Sequence, residues 1–502
     1  MEYVQSPIYG PFRLHTSRAR YLSPNFISLL KQTEISCIIN LGSHPDNIMS
    51  EATEMIHDLN LFPAATVTAD PGMCNPSVQK LWQSFFLGKG DLTLCPGESN
   101  TFRLGSTPLP ILPEGKEYAL TADETGVAIV GRDYGGLMRG FVSLLMKIEY
   151  GKNTFSVRPV TEVSGYRIAN RFIHICVFPE NDLYFIKKLV RLAALCQYTH
   201  IVIEFWGMVQ YDCMKELAWP QAFTKDQVRE LVREARELGI EPVPMFNQLG
   251  HATASRNCYG KHVVLEQNPA LQYLFTPDGW AWNIASPDVL DLLKQVRSEL
   301  YDLFGEGRYM HIGCDEAYYI TKDPALRALL PQYLATLTNQ VEAEGRRPML
   351  WMDMLLEADK FKNCYSSGKA DEVENIRNAT ARSSVFVDWQ YGCTEIPVPS
   401  LVSLKDCGRD CIGAPWEHPG NYTAHIETIA QNDLFGIMLT TWHTLKNRMI
   451  SIPDCAQKMG AQSFVWSASS GAPEITATML RRISFEGNTY ESSGWSKEQI
   501  EV

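Results

Sequence analysis

Short apolar runs recur along the second half of the chain, and helical segments lie between many of them. RFIHICV precedes DLYFIKKLVRLAALCQY, and HIVIEFW precedes TKDQVRELVREARELG, in which Thr224 is predicted as the N-cap and Gly239 as the stop. The later runs are EPVPMF, YMHIG, PMLWMD, SSVFVDW, CIGAPW and GIMLTTW. Eight such strands over about 280 residues predict an α/β fold of the (β/α)8 TIM barrel type.

The first part of the chain has a different pattern. A Pro- and Gly-rich centre is followed by KEYALTADETGVAIVG, which alternates as strands do, and by the amphipathic helical segment DYGGLMRGFVSLLMKIEYG. We therefore expect a smaller α+β domain at 1–160, the barrel at 161–470 and a tail at 471–502 whose role is unassigned. Two settings are open for that tail, the barrel surface or a second subunit of a homodimer.

Composition and charge limit the classes of molecule that the protein is expected to bind. The chain of 502 residues is 45% apolar and 20% charged, which is typical of a folded globular protein. Its net charge of -12 and the lack of a basic block argue against nucleic acid as a partner. No apolar run suits a signal peptide or a membrane span, and 13 cysteines without CxxC pairs suit free thiols. These features predict a cytoplasmic protein that does not interact with membranes.

Chemistry is expected at the carboxyl ends of the barrel strands, where active sites of such barrels lie. The residues predicted there are Glu204, the turn 247–251, Asp315, Glu316, Trp351, Asp353, Trp389, Tyr391, Trp416 and Trp442. Carboxyl groups combined with aromatic rings favour a sugar site, because pyranose faces stack on rings and glycosidic bonds need proton transfer.

Asp315 and Glu316 are the strongest catalytic candidates. Two adjacent carboxylates repel each other, so one tends to keep its proton while the other stays charged. That division suits a general acid beside an anionic stabiliser. The alternative is that Asp315 caps a helix and Glu316 is a first-turn acid. His311, Gly313 and the preceding strand favour catalysis.

The segment HIGCDE resembles the H-x-G-G-D-E signature of family-20 glycoside hydrolases, the β-N-acetylhexosaminidases, with Cys314 in place of the second glycine. Other segments resemble this family in the same order, over roughly residues 115 to 445. They are DYGGLMRGFVSLL, NRFIHI, FTKDQVRELVREARELGIEPVPMFNQLGHA, MLWMDM, VDWQYG and TTWHTL.

The resemblance implies an exo-acting retaining enzyme that hydrolyses terminal β-linked GlcNAc or GalNAc, with the sugar's own 2-acetamido group as nucleophile. Asp315 would orient the acetamido nitrogen, and Glu316 would protonate the leaving oxygen and then activate water. Tyr391 would donate a hydrogen bond to the acetamido oxygen. The residues implied in binding are Arg171 and His251, together with the pocket tryptophans Trp351, Trp389 and Trp442. Amino-sugar glycans are the implied partners, and no cofactor is expected.

Two departures from the family pattern bear on specificity. Met245 and Asn247 stand where the family usually has acids, and Leu249 stands in place of the proline before the Gly-His turn. Thr444 stands where an acid usually binds the outer hydroxyls of the sugar. A galacto-configured or substituted sugar is therefore also open. So is a related class of β-N-acetylgalactosaminidase that uses the same acetamido assistance.

Two further alternatives are a metal hydrolase and a sugar-binding homologue with impaired catalysis. The candidate ligands for a metal are His174, His251, His311, Asp315 and Glu316, but no HxH or HExxH spacing occurs near these strands. No metal is therefore expected. The acid pair argues against loss of turnover, and the altered surroundings of His251 keep that alternative open.

Overall fold

The computed structural model describes residues 59–61, 64–86, 90–150, 154–253, 262–366, 368–444, 449–460, 479–480 and 482–483. The start of the predicted first domain, the barrel boundary at 470 and almost all of the tail 471–502 lie outside the described residues. No disulfide joins the cysteines of the described part.

A mixed sheet precedes the barrel. The described strands here are β1 (Leu59–Leu61), β2 (Ala64–Ala69), β3 (Asp91–Pro96), β4 (Thr101–Gly105), β5 (Tyr118–Asp123), β6 (Gly126–Gly131), β7 (Glu149–Tyr150), β8 (Phe155–Val157) and β9 (Val160–Val163). Six form a sheet in the order β3-β2-β4-β6-β5-β9, and β1, β8 and β7 form a smaller one. The helices are α1 (Pro76–Phe85) and α2 (Tyr134–Met146). The sheet thus ends at β9, just beyond the boundary predicted at residue 160.

Eight parallel strands close into a barrel, which confirms the predicted fold. They are β10 (Asn170–Cys176), β11 (His200–Glu204), β12 (Glu241–Met245), β13 (Tyr309–His311), β14 (Arg347–Trp351), β15 (Val385–Asp388), β16 (Asp410–Gly413) and β17 (Gly436–Thr440). Each strand pairs with the next along the chain, and β17 pairs with β10.

Helices connect most of the barrel strands. They are α3 (Leu183–Leu195), α4 (Lys225–Glu237), α5 (Val264–Gln267), α6 (Pro287–Phe304), α7 (Tyr318–Lys322), α8 (Pro324–Ala343), α9 (Ala370–Ala379), α10 (Pro399–Lys405), α11 (Pro419–Asn432) and α12 (Ser451–Lys458). Short 3-10 helices cover Pro71–Met73, Lys215–Leu217, Pro269–Leu274 and Trp442–Thr444. Among the described helices, none is both long and apolar enough to cross a bilayer.

Local sequence explains where α4 begins and ends. The Thr224 hydroxyl accepts from the Gln227 backbone N–H, and the Gln227 side chain bonds back to the Thr224 backbone, which completes a capping box. Past the other end, Gly239 has a φ of 77°, the left-handed conformation that glycine adopts at low cost. Both predicted boundaries are confirmed.

Two apolar cores support the barrel. One fills the space between the strands and the surrounding helices. The other lies inside the barrel and is formed by Phe172, Val202, Val243, Met245, Tyr309, Met349, Trp351, Val385, Val387, Ile412, Ala414 and Met438. Because side chains alternate between the two faces of a strand, this interior set indicates which neighbouring residues also face inward.

Candidate active site

A tight turn after β13 carries the acid pair. Gly313, Cys314 and Glu316 have φ values of 66°, 77° and 50°, so the chain bends sharply here. A Cβ on Gly313 would lie 1.3 Å from Asn247 Oδ1, so no larger residue fits. Asn247 Oδ1 also accepts from the Cys314 backbone N–H at 3.1 Å. The turn is therefore fixed against the loop after β12.

Asp315, Glu316 and His251 meet at this end of the barrel. His251 Nε2 lies 3.0 Å from Glu316 Oε2 and 3.4 Å from Asp315 Oδ2. The Glu316 side chain is 23% exposed, whereas that of Asp315 is only 6% exposed. Asp315 Oδ1 is buried and has no hydrogen-bond partner among the described residues. The site thus combines an accessible acid with a buried carboxylate oxygen that is open to a donor.

Close backbone packing brings His251 to the acids. A Cβ on Gly250 would lie 1.9 Å from the Asp315 carbonyl oxygen, so glycine is required for this approach. The Trp280 ring lies 4.3 Å from the His251 ring, and Trp280 Nε1 donates to the Glu316 carbonyl oxygen at 2.8 Å. Trp280 comes from a long loop without hydrophobic periodicity, which explains why its place at the site was not predicted.

Asp353 is hydrogen-bonded to both Glu316 and Trp389. Its Oδ2 accepts from the Glu316 backbone N–H at 2.8 Å, and its Oδ1 accepts from Trp389 Nε1 at 3.1 Å. Burial, and then the nearby Asp315 charge, raise the pKa of Asp353 well above its ordinary value. Asp353 was predicted at the mouth without a role, and its contacts make it a positioning residue.

Tyr391 and Trp442 form a second polar contact at the mouth. Trp442 Nε1 donates to the Tyr391 hydroxyl oxygen at 2.7 Å. Burial raises the pKa of Tyr391 well above its ordinary value, so the phenol keeps its proton and can donate. Trp442 has a φ of 41°, a conformation rarely adopted by a bulky residue and common at functional sites.

Trp351 lies inside the barrel. It is fully buried and belongs to the interior core, with its ring 5.8 Å from that of Trp442 and 4.5 Å from that of His311. Its indole N–H has no hydrogen-bond partner among the described residues. The predicted pocket tryptophans therefore differ in position, because Trp389 and Trp442 are half-buried.

Half-buried aromatic side chains continue around the mouth. Successive ring centroids lie 6.3 Å apart for Trp280–Tyr318, 4.9 Å for Tyr318–Tyr365, 6.1 Å for Tyr365–Trp389, 5.0 Å for Trp389–Tyr391 and 5.3 Å for Tyr391–Trp416. We call this set the aromatic arc. Burial, then the Glu316 charge, raise the pKa of Tyr365 to about 12. The arc therefore stays uncharged at neutral pH and presents ring faces and hydroxyls to a ligand.

Arg171 does not lie at the mouth, so its predicted contact with sugar hydroxyls is wrong. It is the second residue of β10, at the amino end of the strand, and it alternates with the inward-facing Phe172. Its guanidinium binds both carboxylate oxygens of Glu117, at 2.8 and 3.0 Å. Burial tends to raise the pKa of Glu117, but the Arg171 and Arg139 charges lower it to about 2.

Glu204 is the last residue of β11 and lies at the mouth of the barrel. Its Oε2 is 3.1 Å from His174 Nε2 and 3.5 Å from Cys176 Sγ. Both of these contacts are with residues of β10.

Comparison with known proteins finds a family match within the barrel. Residues 202–388, from β11 to β15, match the family model described as glycosyl hydrolase family 20, catalytic domain. A lacto-N-biosidase of Bifidobacterium bifidum is 20% identical over 286 residues, which cover 56% of this chain and 24% of that protein. The match thus spans about a quarter of that relative's length.

Solved structures share the fold. A family 20 exo β-N-acetylglucosaminidase from Vibrio harveyi superposes with a TM-score of 0.60 at 15% identity, covering 86% of this chain and 75% of the other. A family 20 β-N-acetylhexosaminidase from Streptomyces coelicolor gives a TM-score of 0.57 at 17% identity, covering 88% and 94%. The barrel thus shares its fold with these enzymes, and its residues 202–388 are similar in sequence to the catalytic domain of glycosyl hydrolase family 20.

Proposed function

We propose that this protein is an exo-acting, retaining β-N-acetylhexosaminidase that removes terminal β-linked GlcNAc or GalNAc with help from the sugar's 2-acetamido group. The observation that carries the proposal is the pair of carboxyl groups around His251. One is exposed enough to reach a leaving group, and the other has a buried oxygen that lacks a donor. The family match and the exo-acting structural relative support the same activity.

A residue can be assigned to each step of this proposed hydrolysis. Asp315 Oδ1 accepts the acetamido N–H and holds that group against the anomeric carbon. The acetamido oxygen attacks this carbon while Glu316 gives its proton to the departing glycosidic oxygen, and an oxazolinium ion forms. Water then attacks the same carbon, the ring opens back to the acetamide, and the Glu316 carboxylate takes the proton. Two inversions at one carbon leave its configuration unchanged.

The aromatic residues provide the walls of the pocket. The Tyr391 phenol donates to the acetamido oxygen, with its own oxygen held by the Trp442 indole N–H. Trp389 is fixed by Asp353, which also holds the Glu316 backbone. One aspartate therefore couples the position of the acid to the position of the ring that packs on the sugar.

Aryl β-glycosides of GlcNAc, GalNAc, their 6-sulfates and glucose test the proposal. Wild type should hydrolyse only acetamido sugars, with retained configuration in the first product seen by NMR. Glu316→Gln should lower kcat/KM by about 100-fold or more, because proton transfer from a positioned acid contributes that much. Glu306→Gln, at an exposed glutamate outside the mouth, is the matched control and should behave as wild type.

Two results would contradict the proposal. Equal hydrolysis of glucosides would exclude acetamido assistance, because glucose lacks the nucleophile. Tight binding of the sugars without turnover by wild type would instead indicate a sugar-binding protein. The GalNAc and sulfated substrates also determine what Asn247 and Thr444, which replace acids, do to sugar preference.

A further inference from the structure

A second group of polar side chains lies inside the barrel mouth, on strands that carry neither Asp315 nor Glu316. His174 and Cys176 are two residues apart on β10, and Glu204 ends β11 directly opposite Cys176 in the strand pairing. Phe172 and Val202 belong to the interior core. Since alternate residues share a face, His174, Cys176 and Glu204 also face inward.

The donor atoms of these residues form a small triangle. His174 Nε2 is 3.1 Å from Glu204 Oε2 and 3.8 Å from Cys176 Sγ, and Cys176 Sγ is 3.5 Å from Glu204 Oε2. Around a tetrahedral zinc ion with ordinary bond lengths, such donors would be roughly 3.4 to 3.6 Å apart. Each observed distance is within about 0.3 Å of that geometry, so little movement is needed to bind an ion.

The chemistry of the triangle also suits a metal. All three side chains are buried. A buried carboxylate and a buried thiol are costly to ionise unless a positive charge compensates them. Sulfur, imidazole nitrogen and carboxylate oxygen together are the donor set of zinc, and they exclude magnesium and calcium, which bind oxygen.

The surroundings leave the imidazole and one coordination position available. His174 Nδ1 has no hydrogen-bond partner among the described residues. No hydrogen bond to Nδ1 therefore forces the ring proton onto Nε2, and Nε2 can bind the ion. A cavity lined by Glu204, Trp206, Asn247 and His262, with room for about one water molecule, lies beside Glu204. A water molecule is the usual fourth ligand of a zinc site with three protein ligands.

We propose that His174, Cys176 and Glu204 bind one divalent transition-metal ion of the zinc type. The ion joins the carboxyl ends of β10 and β11. The His174 ring packs against the Trp442 ring at 4.7 Å and the Trp351 ring at 5.8 Å. An ion bound to His174 therefore also fixes the imidazole against which these two rings pack. This site is separate from the proton chemistry of Asp315 and Glu316, and it does not depend on the proposed hydrolase activity.

Metal analysis of the purified full chain tests the proposal. After chelator treatment and reloading with zinc, elemental analysis should find about one ion per chain in wild type. Cys176→Ser and Glu204→Gln should each lower the bound zinc at least tenfold after dialysis, with secondary structure checked by circular dichroism. Cys411→Ser is the matched control, since Cys411 is also buried on a barrel strand and contacts none of the three ligands.

Cobalt provides an independent spectroscopic test on wild type. Co²⁺ in the site should give visible bands typical of four-coordination and a thiolate charge-transfer band in the near ultraviolet, which Cys176→Ser should lack. Zinc should also raise the Tm of wild type. Wild type without tight zinc and without the thiolate band would overturn the proposal, and the triangle would then be a hydrogen-bonded network. Equal zinc in Cys176→Ser and wild type would overturn it as well.

Discussion

Asp353 sits between the acid and a ring that would hold the sugar, and it contacts both. Its two oxygens accept from the Glu316 backbone and from the Trp389 indole. An amide in its place has only one oxygen acceptor, so its NH2 group would face one of these donors. A substitution here changes geometry without removing the proposed acid.

Asp353→Asn is expected to lower kcat by about 10- to 100-fold while KM changes little, because misplacing a reacting group by even 1 Å is costly. Steady-state kinetics on an aryl GlcNAc substrate measures this. Asp359→Asn, at an exposed aspartate nearby, is the control and should leave kcat unchanged. Normal kcat in Asp353→Asn would show that this carboxyl does not position Glu316.

Tyr391→Phe is expected to lower kcat by about 100-fold, because it removes one preorganised donor from the acetamido oxygen. It also leaves the Trp442 indole N–H without its acceptor. The comparison is between the variant, wild type and Tyr273→Phe, which alters an exposed tyrosine. A loss confined to KM would assign Tyr391 to binding alone.

Residue positions at the mouth were predicted better than residue contacts. Asp315, Glu316 and His251 follow strand ends in the sequence, and the structure brings them together. Asp353 also follows a strand end, but its hydrogen bonds depend on the loops around it. Arg171 was placed by resemblance of a short segment, which does not reveal that Glu117, 54 residues earlier, neutralises it at the other end of the strand.

At the scale of elements, the turn after β13 determines where the acids lie. Three of its residues have positive φ, and only Gly313 is a glycine. Cys314 occupies a left-handed position that costs a side chain roughly 1 to 2 kcal/mol, and its thiol is buried. The strain is held by contacts with the loop after β12.

Substitutions at the adjacent residues Gly313 and Cys314 are expected to have opposite effects on activity. Gly313→Ala should abolish measurable turnover and lower Tm, because the new Cβ would overlap Asn247 Oδ1. Cys314→Gly should keep turnover within about threefold of wild type, since glycine adopts the observed φ freely. Activity assays and thermal unfolding of both variants check this. An active, stable Gly313→Ala would mean that the turn is not fixed as described.

The barrel strands were predictable because each is an apolar run of five to eight residues between polar or turn residues, a local signal. The segment between β12 and α6 was not predictable from such a signal. Trp280 is held by the Glu316 carbonyl oxygen, and Gln267 of α5 is held by the Glu216 carbonyl oxygen. A segment whose structure depends on contacts with distant residues has no periodic pattern of apolar residues in its own sequence.

At the scale of the molecule, a buried ion cluster connects the first sheet to the barrel. Glu117, just before β5, binds Arg139 of α2 and Arg171 of β10. The pKa of Glu117 falls from 4.5 to about 2 in the folded protein. Folding is therefore stabilised above pH 4.5, and this stabilisation is lost as the pH falls toward 2.

Glu117→Gln should lower the free energy of unfolding at pH 7 by roughly 3 to 5 kcal/mol, because two buried guanidinium groups lose their counter-charge. The variant should also lose less stability than wild type between pH 4.5 and pH 2. Urea unfolding at several pH values measures both effects. Glu114→Gln, at an exposed glutamate in the same loop, is the control. Parallel pH curves for Glu117→Gln and wild type would refute the linkage.

The aromatic arc supplies an optical reporter of occupancy. Three of its members, Trp280, Trp389 and Trp416, are partly exposed at the mouth, as is Trp442, and a bound sugar would displace water from their indole rings. Intrinsic emission excited at a wavelength selective for tryptophan should shift to the blue when GlcNAc is titrated in, and should not shift with glucose. The same titration works on Glu316→Gln, so affinity can be followed without labels in a protein that no longer turns over.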